Sequence, residues 1–235
     1  MLPDGDTIAT VSGDHKIAFR TISGKPVFAQ LKKVTEGYSV SASGDGRWLA
    51  VAFHPRLLHI HDLKESTEPR AIGIPANVTS HTCSTGQDPL LAAATDAGLM
   101  RLIDLRTGES SEFRFADREI YTSLVFSPDG SLLAGADSRH RLHVWDVRAR
   151  KELWSCDAHT ATIQSISFSS KGDRIATASL DRTAKVFDSA TGCETVTLRG
   201  HMRGVYKALF TPDGKNVITV GMDNQILKWE GAISR

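Results

Sequence analysis

One spacing governs this chain. Turn glycines stand at Gly46, Gly130, Gly172 and Gly214, in the contexts G-D-G, P-D-G, S-K-G and P-D-G, at steps of 84, 42 and 42 residues. Asp88 holds the intervening slot without glycine, and Gly5, again in P-D-G, lies 41 residues before Gly46. A second series keeps the same beat: Asp62, Asp104, Asp146, Asp188 and Glu230 follow one another at 42 residues. Thr21 takes that slot in the first unit, 41 residues before Asp62. A fixed period of this length means that one supersecondary unit is repeated. It leaves no room for separate domains or linkers, so the expectation is one domain over 1–235.

The last unit shows what is repeated. An apolar run, Val205 to Phe210, meets the turn Pro212-Asp213-Gly214. A second run, Asn216 to Val220, meets a turn at Gly221 to Asn224, and a third ends in Trp229-Glu230. Short runs bounded by Gly, Pro, Asp and Asn read as strands of an antiparallel meander. No window carries a 3.6-residue apolar period, so helices should be short or absent. The units fall near 1–31, 32–74, 75–116, 117–158, 159–200 and 201–235. The first supplies strands near Thr7 to Ser12, Lys16 to Arg20 and Lys25 to Leu31. The middle four supply four strands each, and the last supplies three.

Composition excludes several classes. Twenty-eight Lys and Arg against twenty-seven Asp and Glu give a net charge of +1, with no basic excess for a nucleic-acid footprint. No apolar run has the length of a transmembrane helix, and Met1 to Gly5 does not read as a signal peptide. Cys83, Cys156 and Cys193 lack metal spacing and read as reduced thiols of a cytoplasmic protein.

These residues resemble the WD40 repeat family. Trp145-Asp146 is the dipeptide that names it, with Phe187-Asp188 and Trp229-Glu230 as near variants. Gly200-His201 matches its Gly-His pair, and Ala158-His159 is a variant. The resemblance implies an all-β fold: a β-propeller of WD40 type, six consecutive four-stranded antiparallel blades with the first and last incomplete. One meander cannot bury both faces alone, so blades stack. The family's His, Ser/Thr, Asp, Trp relay maps onto His201, Thr219, Asp223 and Trp229. In unit five it maps onto His159, Thr177 and Asp181, with Phe187 ending it early. Unit four has Asp117, Gly135 and Arg139 at the first three slots and keeps only Trp145.

The relay reading places His201, Thr219 and Asp223 inside a blade rather than in a catalytic triad, which needs an exposed nucleophile. His59 and His61 share one face of a strand, with His54 in the turn before it; substituted packing positions explain them better than a metal site. Arg139, His140, Arg141 and His143 read as a solvated turn and strand surface. The expectation is therefore no catalytic residue, no cofactor and no metal.

In the resembled family partners dock on one propeller face, to which each blade offers three positions. Carried across by the beat, unit two offers Glu36, Tyr38 and His54, and unit three Val78, Ser80 and Asp96. Unit four offers Ile120, Thr122 and Ser138, unit five Thr162, Gln164 and Leu180, and unit six Gly204, Tyr206 and Met222. Unit one offers only Gly13. The resulting expectation is a non-enzymatic scaffold for protein or peptide segments, without nucleic-acid or membrane binding. The alternatives are a regulatory propeller appendage of a larger kinase or ATPase, and an enzymatic propeller. Twenty-two strands, with an inner strand missing at one end and an outer one at the other, suggest part of a larger propeller that self-associates through open ends.

Overall fold

The structure is a computed structural model, and it describes residues 6–11, 17–25, 37–53, 56–65, 68–114 and 119–231. The expected strand at Lys25 to Leu31, the Pro-Asp-Gly of Gly5, and Gly13, Glu36, His54 and Asp117 lie outside or largely outside these residues. Every regular element among the described residues is a strand. The chain divides into two compact units, Met1–Arg118 and Glu119–Arg235.

The first unit holds a two-stranded sheet, β1 (Thr7–Val11) and β2 (Ile17–Thr21). Next come β3 (Gly37–Ala42), β4 (Trp48–Phe53), β5 (Leu57–Asp62) and β6 (Arg70–Gly73) in one antiparallel meander. A second meander follows: β7 (Val78–Cys83), β8 (Leu90–Thr95), β9 (Leu99–Asp104) and β10 (Ser110–Arg114). The second unit repeats the pattern with β11 (Tyr121–Phe126), β12 (Leu132–Asp137), β13 (Arg141–Asp146) and β14 (Lys151–Asp157). Then come β15 (Ile163–Phe168), β16 (Arg174–Ser179), β17 (Thr183–Asp188) and β18 (Glu194–Arg199). A three-stranded sheet closes it: β19 (Val205–Phe210), β20 (Val217–Gly221) and β21 (Ile226–Trp229).

Both recurrent sequence signals have a local cause. The turn glycines Gly46, Gly130, Gly172 and Gly214 all have φ between 67° and 76°, the left-handed region where a Cβ is costly. Each donates its N–H back three residues, to Ser43, Ser127, Ser169 or Thr211. The beat acid opens the turn after the third strand. Asp62 Oδ1 accepts from the N–H groups of Lys64 and Glu65, Asp104 Oδ1 from Arg106 and Thr107, and Asp188 Oδ1 from Ala190 and Thr191. An Asp side chain serves its own turn in this way, so it recurs wherever the hairpin does.

The first strand of every meander carries the same irregularity. The register slips between Gly37 and Ser39, Val78 and Ser80, Tyr121 and Ser123, Ile163 and Ser165, and Val205 and Lys207. The skipped residue is a β-bulge, which bends the strand entry and re-aims one side chain.

Within each unit the sheets bury both faces. In β4, Leu49 and Val51 pack with Phe19 on one side, while Ala50 and Ala52 pack with Leu91, Ala93 and Ile103 on the other. In β16, Ile175 joins Leu142, Val144 and Ile163, while Ala176 and Ala178 join Val205, Ala208 and Val217. Alanine fills one buried face of each of these strands.

Gly44 marks a close approach between sheets of the first unit. Its N–H donates to Ser84 O at 3.0 Å, and a Cβ there would lie 2.2 Å from the carbonyl oxygen of Thr85. Backbone cannot yield as a side-chain tip can, so Gly44→Ala should cost about 1–3 kcal/mol. Gly73→Ala, where a Cβ meets nothing within 4 Å, should stay within about 0.5 kcal/mol. Urea denaturation of the two variants is the check, and equal midpoints would contradict the packing described.

Candidate functional site

Three polar constellations lie inside the sheets of the second unit, and one set of side chains lies at their ends. In the last sheet, Trp229 Nε1–H donates to Thr219 Oγ1 at 2.9 Å, and that hydroxyl lies 2.8 Å from His201 Nε2. Having accepted from the indole, the hydroxyl gives its own hydrogen to the imidazole. His201 Nδ1–H then faces both Asp223 oxygens, at 3.0 and 3.1 Å. Asp223 also accepts from the N–H groups of Met202 and Gln225. Thr219 is fully buried and His201 nearly so. The set ties the loop before β19 to the β20–β21 turn. A Cβ on Gly221 would lie 2.3 Å from His201 Nδ1, so glycine is needed for the ring to fit.

The β15–β18 sheet holds the shorter version. His159 Nε2 lies 2.7 Å from Thr177 Oγ1, and Nδ1 lies 2.8 Å from Asp181 Oδ2. Thr183 donates its hydroxyl and its N–H to Asp181 Oδ1, at 2.6 and 2.9 Å. The Phe187 ring has no N–H to give, and the Thr177 hydroxyl reaches Lys185 O at 3.4 Å. Burial alone would raise the Asp181 carboxyl. The bonds from Thr183 and His159 more than reverse this and hold it at about 2.

The β11–β14 sheet is built differently, and here the sequence expectation is corrected. His143 belongs to no solvated surface: it is 4% exposed. Gly135 pairs with it across β12 and β13, in the slot that Thr177 and Thr219 fill elsewhere. A Cβ on Gly135 would already meet Trp145 at 2.9 Å and Leu124 at 3.0 Å. The imidazole stacks on Trp145 with ring centroids 5.5 Å apart and meets the edge of Tyr121 at 5.3 Å. Its Nδ1 faces Glu152 Oε1 at 2.7 Å; its Nε2 faces Asp137 Oδ2 at 3.0 Å and Glu119 Oε2 at 3.3 Å. Burial lowers the imidazole, but the carboxylates on both nitrogens outweigh it and leave it raised. The neighbouring Asp137, together with burial, pushes the Glu119 carboxyl up to about 7. Asp137, although buried, is held low by His143 and Glu119. Glu119, Asp137 and Glu152 were invisible to the repeat template because none falls in a relay slot.

In the first unit His59 and His61 lie on one strand, β5. Their ring centroids are 6.3 Å apart, and burial lowers His61 to about 4. Elsewhere in it, Ser41 Oγ lies 2.9 Å from His81 Nδ1 and 3.2 Å from Cys83 Sγ. Burial pushes the Cys83 thiol up to about 12, which leaves it without nucleophilic character.

The described positions assigned to a binding face lie at one end of their sheets, where the first strand begins and the second ends. Ser138 N–H donates to Ile120 O, Leu180 to Thr162 O, and Met222 to Gly204 O. Thr122, Gln164 and Tyr206 are the bulge residues and are exposed. Tyr38 holds the same bulge in β3, but its side chain is outside the described residues. The β7–β8 sheet shifts the assignment by one. Asp96 N–H donates to Asn77 O, and the bulge is Thr79, so Asn77 and Thr79 hold these slots rather than Val78 and Ser80. The cause is one extra residue in the turn, 84–89 against 127–131. Val78 is buried instead.

Thr219→Val keeps shape but leaves both His201 and Trp229 without the hydroxyl, and should cost about 1–3 kcal/mol. Thr177→Val, with only the imidazole as a strong partner, should cost less; chemical denaturation of both tests this. Asp181 stabilises the fold above its unfolded value of about 3.9, and that contribution is lost as pH falls towards about 2. Stability followed from pH 5 to pH 2 should show Asp181→Asn flattening that limb.

Comparison with known proteins fits this geometry. The model of the WD40 family, described as WD domain, G-beta repeat, matches residues 115–146, 150–188 and 192–230. Each match ends on a beat acid. "WD repeat and SOCS box-containing protein 1" of Xenopus tropicalis is 34% identical over 107 residues, 45% of this chain and 25% of that protein. "Topless-related protein 4" of Arabidopsis thaliana is 29% identical over 136 residues, 54% of this chain and 12% of that protein. The matched stretch thus spans a quarter or less of these relatives. The solved β-propeller domain of Myceliophteria thermophila Cps50 (Swd1) superposes with a TM-score of 0.80 at 18% identity, covering 98% of this chain and 80% of that one. Residues 115–230 thus carry three WD40 repeats, and the chain has an all-β, β-propeller fold.

Proposed function

We propose that the chain is a non-enzymatic scaffold, one domain over 1–235, that binds protein or peptide segments at the sheet ends where the first strands begin. The observation that carries this reading is apolar surface at that end of three consecutive sheets. Tyr206 is 49% exposed and Ile120 37% exposed. Leu180 and Met222 flank Gly204, where a Cβ would meet Leu180 Cδ2 at 2.9 Å and Met222 Sδ at 3.1 Å. The missing Cβ lets both side chains close over the strand entry. Aromatic and flexible apolar groups on a rigid frame are what peptide contacts use. Thr122, Gln164 and Ser138 supply polar rim groups. WD40 propellers commonly serve as protein-interaction scaffolds, and no helix among the described residues is long and apolar enough to cross a membrane.

A second reading has one observation in its favour. In the relatives the matched repeats occupy a minor share of a longer chain. A propeller that positions or regulates other domains of a longer protein would use the same face.

Selection of peptides from a random display library against the wild-type chain tests the first reading. Tyr206→Ala and Met222→Ala should each weaken the selected peptides by about 2 kcal/mol, roughly thirtyfold. Lys171→Ala, at the opposite sheet ends beside the turn glycine Gly172, should leave them unchanged. Peptides indifferent to both face substitutions would remove this assignment.

A further inference from the structure

The buried cluster of the β11–β14 sheet is left over by the scaffold reading. It contributes nothing to the exposed face, and the relay of the other sheets does not require it. Three potential ligand atoms converge there: Glu119 Oε2, Asp137 Oδ2 and His143 Nε2, mutually within 4.8 Å. Their side chains are 3%, 0% and 5% exposed.

Each of the three groups has its other polar atom already engaged. Asp137 Oδ1 accepts from the N–H groups of Arg139 and Arg141, both at 2.9 Å. Glu119 Oε1 faces Arg139 Nη1 at 3.1 Å and Arg141 Nη1 at 4.0 Å. His143 Nδ1 is held by Glu152. The remaining atoms, Glu119 Oε2, Asp137 Oδ2 and His143 Nε2, face one another. A carboxylate behind an imidazole is the usual support of a metal-binding histidine. The distances from Nε2 to the two oxygens, 3.0 and 3.3 Å, are close to those that ligands about 2.0–2.2 Å from one tetrahedral ion span. Two buried carboxylates side by side repel unless a proton or a cation lies between them.

We propose that Glu119, Asp137 and His143 bind one divalent transition-metal ion of the zinc class through Oε2, Oδ2 and Nε2, with Glu152 as the positioning residue behind the imidazole. One imidazole with two carboxylates suits zinc, cobalt or manganese, whereas calcium and magnesium favour shells of six or more oxygens. The ion replaces the hydrogen on Nε2 and the one shared by the two carboxyls, so the net charge of the pocket is unchanged. Arg139 and Arg141 face the Glu119 oxygen turned away from the ion. Trp145 and Tyr121 pack on the imidazole. The ion would join the loop before β11 to β12 and β13, doing for this sheet what the threonine-centred relay does for the last one.

The test uses the whole chain, stripped with a chelator and titrated with zinc against a chromophoric competitor. One ion per chain is expected. Glu119→Gln and Asp137→Asn should each abolish stoichiometric uptake. Glu152→Gln should weaken it about 10–100-fold at unchanged stoichiometry. His61→Gln should change nothing. Zinc should raise the Tm of the wild type but not of Glu119→Gln, whose amide keeps the shape of the carboxyl. X-ray absorption of the wild-type cobalt form should show one imidazole and oxygen ligands, whether or not the variants fold. No uptake by the wild type, uptake that survives Glu119→Gln, loss that follows His61→Gln, or a sulfur ligand would each overturn the proposal.

Discussion

A four-stranded antiparallel meander has two faces and no interior, and this is the constraint from which the rest of the structure follows. β4 and β16 show it most clearly. Successive side chains of one strand enter two different cores, Leu49 and Val51 one way, Ala50 and Ala52 the other. Ile175 and Ala176 divide in the same manner. Such a strand cannot be half-solvated, so it reads as a continuous apolar run rather than an alternation. The sheet gains its stability only from neighbours. Small residues are needed where neighbours crowd, and glycine where backbones touch, as at Gly44.

Burial on both faces also forces the polar groups at the strand ends to find partners inside the sheet. The chain solves that problem three ways. The last sheet uses a hydroxyl as a two-way relay between indole and imidazole. The β15–β18 sheet keeps imidazole and carboxylate but substitutes phenyl for indole, and a second threonine, Thr183, supports the carboxylate. The β11–β14 sheet removes the hydroxyl altogether at Gly135 and brings an imidazole from the next strand. These are alternative satisfactions of one requirement, that a buried polar group be paired. The third differs in kind, because it concentrates carboxylates where the others need only one.

The strands and turns were legible from the sequence because their causes are local. The turn glycines Gly46, Gly130, Gly172 and Gly214 adopt positive φ three residues from the group they bond. The beat acid bonds N–H groups two and three residues on. Both signals survive repetition because every copy solves the same turn. The slots at Val78 and Ser80 were misplaced by one for the complementary reason. A turn one residue longer moves β7 against the beat while leaving β8 on it, and counting from the acid cannot see that. His143 was misread because an imidazole on a third strand is indistinguishable, by spacing, from a solvated side chain.

The sequence by itself determined the period, the turn chemistry, the all-β class and the kinship to WD40 repeats, all of which depend on residues near one another in the chain. Tertiary structure alone decided which polar residues meet in the β11–β14 sheet. Glu119, Asp137, His143 and Glu152 come from a loop and three different strands. They converge only because Gly135 has no side chain and Trp145 offers its ring. Convergence of that kind depends on volume left empty by one residue and filled by another across a strand pair, a quantity that a linear pattern does not carry.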